Sequence, residues 1–158
     1  MAFPPAVADF QAYFVREFVY GSGKDKVEQA DVQRAINEAG LNFNPSLWDA
    51  TTPVGSTTEA SIAYLYLAAH YLWRNLDAAG GLSAVNVGAG VLAAGSGALQ
   101  SVGVGSVSTS FKIPDFVGED PFLLSLTKSK FGQAYLEMME PRLHGNGAVV
   151  SGGGWGCY

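Results

Sequence analysis

At 158 residues the chain fits one domain, long enough to bury about two-thirds of its unfolded surface. Hydrophobic residues make up 48% and charged residues only 15%, against roughly 25% in typical soluble domains, and there are 20 glycines, a composition suited to a protein that covers surface in an assembly. The net charge of −5 argues against a surface that grips nucleic-acid phosphates through clustered Lys and Arg, and the single cysteine, Cys157, excludes an internal disulfide.

Asp9 and Glu17 interrupt the first residues, which therefore lack the basic-then-apolar pattern of a secretory leader. Pro4 and Pro5 open a helical pattern in which Val7, Phe10, Phe14 and Phe18 share one face, ended by Tyr20-Gly21-Ser22-Gly23. A second helix is expected from about Glu28 to Ala39. Val32, Ala35, Ile36 and Ala39 form its inner stripe, and Gly40 is expected to stop it. A connector follows, punctuated by Pro45 and Pro53 and anchored by Trp48.

Ser56, Thr57 and Thr58 offer caps for the longest helix, expected to reach Ala79 and to close on Gly80-Gly81. From Ala60 to Leu76 it is apolar on nearly every side, so neighbours must surround it. Its longest apolar run, Ala60 to Trp73, contains Ser61 and His70 and falls short of the roughly 20 residues of a membrane span. The expectation is a soluble protein made in the cytoplasm. Two readings stand for Tyr64, Tyr66, Tyr71 and Trp73: core packing, or contact with neighbouring subunits, where Tyr and Trp are favoured.

From Gly81 to Ser110 Gly, Ala, Ser and Val dominate, and no charged residue comes before Lys112. Val102 and Val104, then Val107, Thr109 and Phe111, alternate around Gly105-Ser106, which reads as a short hairpin on a long excursion. Asp120-Pro121 starts a helix with a carboxylate cap and a proline in the first turn. A further start near Thr127 leads to a helix with Phe131, Tyr135 and Met138 inward, ended after Glu140 by Pro141. The last residues are glycine-rich and finish in Trp155-Gly156-Cys157-Tyr158.

The expected fold is therefore mainly α: a small helical bundle with a long glycine-rich excursion holding a short β-hairpin, and an extended C-terminal tail. One helical domain spans 1–143, with the excursion at 81–112, and the tail is 144–158. Trp155 and Tyr158 are the candidate docking anchors of that tail, against the plain alternative of an unstructured end. Val102, Val104, Val107, Thr109 and Phe111 are the candidate inter-subunit or channel hairpin.

Motifs that carry chemistry are weak. Gly88-Ala89-Gly90-Val91-Leu92-Ala93 matches a dinucleotide fingerprint, but Gly95 and Gly97 break the helix it needs and no acidic residue stands about 20 positions on. Gly21-Ser22-Gly23-Lys24 lacks the first glycine and the final Ser or Thr of a phosphate loop. His70, His144 and Cys157 have no metal-ligand spacing, no serine sits in a hydrolase elbow, and the carboxylates are scattered. His70 reads as a hydrogen-bonded core histidine. The expectation is no catalytic residue, no cofactor and no metal, hence not an enzyme.

Four stretches in order give the chain a resemblance. They are the Pro-then-Phe helix from Phe3 to Phe18, Ala63-Tyr64-Leu65-Tyr66-Leu67-Ala68-Ala69-His70-Tyr71-Leu72, Gly105-Ser106-Val107-Ser108-Thr109-Ser110-Phe111, and Thr127-Lys128-Ser129-Lys130-Phe131-Gly132-Gln133-Ala134-Tyr135-Leu136. Together they resemble the head–tail adaptor (head-completion, neck connector) family of tailed bacteriophages. The residues from Asn42 to Ser56 and those after Leu143 depart from the pattern.

The resemblance implies a structural virion protein at the neck, assembled in the host cytoplasm. It implies a roughly twelvefold ring beneath the portal that extends the DNA channel and offers a platform for the next neck or tail-terminator protein. Double-stranded DNA would pass through the lumen without sequence-specific binding, and no membrane is involved. A tail-terminator or tail-completion ring, and from another class a small nucleotide-binding enzyme using Gly88 to Ala93, are the alternatives.

Overall fold

The computed structural model describes residues 3–23, 26–48, 53–54, 57–79, 101–104, 107–110 and 120–145. The described chain is mainly helical. The first helix, α1 (Val7–Tyr13), starts where the Asp9 carboxylate accepts from the Ala6 N–H at 3.0 Å. It ends sooner than the periodicity predicts, opening into turns after Tyr13, yet Phe14 and Phe18 are still buried. Ring packing places them: Phe10 lies 5.0 Å from Phe14, and Phe18 stacks on Phe131 at 5.2 Å. Beyond the turns, Tyr20 bridges to Val27. The reversal between them uses Gly21 and Gly23 at φ 143° and 128°, backbone that side-chain-bearing residues rarely adopt.

The second helix, α2 (Gln29–Asn42), buries the expected stripe of Val32, Ala35, Ile36 and Ala39. It does not stop at Gly40. A Cβ there would meet the Tyr64 hydroxyl oxygen at 2.9 Å, so the glycine admits a neighbouring helix instead of ending its own. A 3-10 turn at Pro45–Leu47 then delivers Trp48 into the core, stacked on Phe43 at 5.9 Å.

Two short strands, β1 (Pro53–Val54) and β2 (Thr57–Thr58), pair antiparallel within the expected connector. They lead into the core helix α3 (Glu59–Ala78), whose Thr58 cap accepts from the Ser61 N–H at 3.3 Å. From Ala63 to Trp73 every residue of α3 is buried except the half-buried Tyr66. Leu65, Leu67 and Leu72 are fully enclosed, each burial contributing about 1.5–3 kcal/mol. Helices on several sides surround α3, as its all-round apolarity requires.

Next come β3 (Ser101–Val104) and β4 (Val107–Ser110), antiparallel with Val104 opposite Val107. The last two helices are α4 (Pro121–Leu126) and α5 (Lys130–Gly145). Asp120 caps α4 as its sequence predicts, its carboxylate accepting from Phe122 and Leu123 N–H at 2.8 and 3.1 Å. The cap of α5 is Ser129, two residues past the expected start at Thr127. Its Oγ accepts from Gly132 N–H at 3.0 Å.

At Gly132 the elbow is so tight that a Cβ would lie 2.2 Å from the Leu126 carbonyl oxygen. Phe131, Tyr135, Leu136 and Met139 face the core, with Met138 half-buried. Pro141 does not end α5, which continues to Gly145, two residues into the expected tail. An interior proline costs about 3 kcal/mol. Here Arg142 holds the final turn down, paired with Glu59 and lying 4.7 Å over the Trp48 ring.

Candidate subunit-contact surfaces

The expected hairpin residues fall in β3 and β4, with Val102 opposite Thr109 and Val104 opposite Val107. Phe111, the loop Gly88 to Ala93 and the anchors Trp155 and Tyr158 lie outside the described residues.

The four aromatics of α3 divide by face. Tyr64 and Tyr71 point to α2: the Tyr64 hydroxyl donates to the Ile36 carbonyl at 2.7 Å, and Asn42 donates to the Tyr71 hydroxyl at 2.7 Å. Trp73 is buried beside His70, ring centroids 6.4 Å apart. Tyr66 alone is half-exposed. Two residues from Tyr64, it is turned roughly 200° around the helix, away from α2.

Tyr66 floors a groove of about 250 Å³ with Tyr13 and Phe14, Phe131 and Ala134 of α5, and a rim of Glu17 and Lys130. The rings meet edge to face: Tyr13 and Phe14 lie 6.0 and 5.6 Å from Tyr66, and Phe14 lies 5.5 Å from Phe131. The Lys130 ammonium caps the Phe131 ring at 4.9 Å. Burial, the Tyr13 hydroxyl and the carboxylates of Glu17 and Glu137 push the Tyr66 hydroxyl up to about 12, so it stays a neutral hydrogen-bonding group.

Of the exposed large apolar side chains among the described residues (Phe3, Tyr13, Val15, Leu41 and Leu143), Leu41 on α2 is the most exposed, at 84%. On the same helix Arg34 and Glu38 pair at 3.8 Å, and Glu38 also receives Arg74 at 3.4 Å and Asn75 at 3.1 Å. Sequence reading missed Leu41, because taking Gly40 as a stop left it outside the helix. Extending the helix two residues puts it opposite the apolar stripe, the signal that could have found it.

His70 is a core histidine, as its place in the apolar run predicts: 1% exposed, with Nδ1 2.7 Å from the Ser129 Oγ. Burial, aided by Arg74, pulls its pKa down to about 4, so the ring is neutral. Ser129 thus joins the core helix to the cap of α5 in one hydrogen-bond chain.

Among the described residues no three His, Cys, Asp or Glu side chains are grouped to hold a metal ion, and no helix is long and apolar enough to cross a membrane. No family model, no curated protein and no solved structure matches the chain. What stands is a helical domain with an aromatic groove on one side of its core helix and an exposed leucine on the other.

Proposed function

We propose that the chain is a structural subunit of a tailed-phage neck, a head-to-tail adaptor that works in a ring beneath the portal and not as an enzyme. The observation that carries this reading is the order and spacing of the four stretches that resemble the adaptor family. Three of them build α1, α3 and α5, the helices that line the aromatic groove.

The physical chemistry is compatible. Ring subunits have two unlike side faces, and surface too apolar for a monomer finds cover there. The low charge and the exposed Leu41 and Tyr13 fit such a subunit. A net-acidic conduit repels DNA phosphates and lets the duplex slide. The excursion at 81–112, uncharged until Lys112, with its β3–β4 hairpin, is the inter-subunit or channel-proximal element. The tail, with Trp155 and Tyr158, is the portal-docking element. A tail-terminator ring would be richer in strands than this mainly helical chain.

The test is head–tail joining. Portal-bearing heads made without this protein should join tails only after it is added back. A chain truncated after Leu143 should fold yet bind those heads poorly. Heads that join tails equally well without the protein would overturn the reading.

A further inference from the structure

The geometry points to a head-to-tail contact between copies of this chain, in which Leu41 of one copy seats in the aromatic groove of the next. The inference rests on reading the chain as a ring subunit and names the two surfaces that meet. Leu41 is 84% exposed, and at 100° per residue it lies nearly opposite the buried stripe of Val32, Ile36 and Ala39. It therefore points away from the core formed by the described residues. A leucine held there contributes nothing to folding, whereas burying it against a partner is favourable.

The groove fits this side chain in size, position and charge. A cavity of roughly 150 Å³ already takes a benzene-sized group. The groove offers about 250 Å³ between aromatic walls. It lies on the side of α3 that Tyr66 faces, turned away from α2, so knob and groove occupy opposite sides of one subunit. Glu17 and Glu137 face Tyr66 against one Lys130, leaving the groove one charge negative. Beside Leu41, Arg34 and Arg74 converge on a single Glu38, leaving that face one charge positive.

A second copy is the occupant because each chain carries both halves. Unlike halves on opposite sides make a heterologous contact, which closes into a ring when the rotation permits. Groove against groove would oppose like charges instead.

Sedimentation velocity on three proteins tests the pairing. Wild-type chain should associate. Leu41→Asp, which spoils the knob, and Ala134→Lys, which fills the groove with a helix-compatible side chain, should each weaken association by roughly 30-fold or more. Circular dichroism should show both variants folded. An equal mixture of the two should form discrete dimers, since one intact knob and one intact groove remain.

No dimer in the mixture, or association of either variant at wild-type strength, overturns the pairing. So does a wild-type chain that stays monomeric at every concentration. None of these outcomes touches the adaptor reading, which stands or falls on head–tail joining. A variant that still joins heads to tails while associating normally would locate the ring contact elsewhere.

Discussion

Two helices pack against the core helix α3 from different sides, and each carries a glycine at a close approach, Gly40 of α2 against α3 itself and Gly132 of α5 against the backbone of α4. On the α2 side a Cβ at Gly40 would meet only the Tyr64 hydroxyl, the far end of a side chain that can turn. On the α4–α5 side a Cβ at Gly132 would meet the carbonyl oxygen and Cα of Leu126 at 2.2 and 2.7 Å, backbone with nowhere to go. The α2 contact is finished by long polar reaches: Tyr64 to Ile36, Asn42 to Tyr71 and Glu38 to Arg74. The α5 contact is finished by the buried pair of His70 and Ser129 and by the ion pair of Arg142 with Glu59 at the start of α3. A soft interface can absorb a methyl group; a backbone elbow cannot.

The largest expected effect is at the elbow. Gly132→Ala should cost about 3 kcal/mol or more, since overpacking against fixed backbone must displace α4 or α5. A denaturant midpoint within error of wild type would show the elbow to be as soft as the α2 side.

Acid should strike the same region. The folded pKa of His70, about 4, lies below its unfolded 6.5, so the unfolded chain binds more protons between those values. Stability from this group is complete above about pH 6.5 and declines as pH falls toward 4, by at most about 3 kcal/mol. Melting temperature against pH should show that decline in wild type and a flatter profile in His70→Gln. Parallel profiles would remove His70 as its source.

Ser129→Ala should cost about 2 kcal/mol, because it removes the cap on the Gly132 N–H and leaves His70 Nδ1 without its partner. Thr127→Ala, whose hydroxyl only bonds the local Leu124 carbonyl, is the control and should cost less.

The smallest effect belongs to the α2 side. Gly40→Ala gains about 1 kcal/mol of helix propensity and loses a similar amount against the Tyr64 hydroxyl, so alone it should be nearly neutral. In a Tyr64→Phe background the obstacle is gone, and the same change should stabilise by about 1 kcal/mol. Urea titration of the four proteins of this cycle gives the coupling directly. Zero coupling would mean that the two residues do not meet.

Some of this molecule is written locally. All-round apolarity from Ala60 to Leu76 marks a surrounded helix, Asp120-Pro121 marks a cap, and one valine and three phenylalanines at helical spacing mark a core face, because each signal needs only neighbours in sequence.

Other features depend on partners far along the chain. Gly40 and Pro141 look like stops, and both lie inside helices, because Tyr64 in one case and Glu59 with Trp48 in the other supply what local sequence lacks. Ser129 becomes a buried cap only when His70, 59 residues away, comes to it. The groove needs Tyr13, Tyr66 and Phe131 from three helices, and Leu41 stands out only once α2 is known to pass Gly40. Propensity and periodicity report what a segment prefers alone; where a helix ends, and which face stays open, is decided by the side chains that arrive from elsewhere.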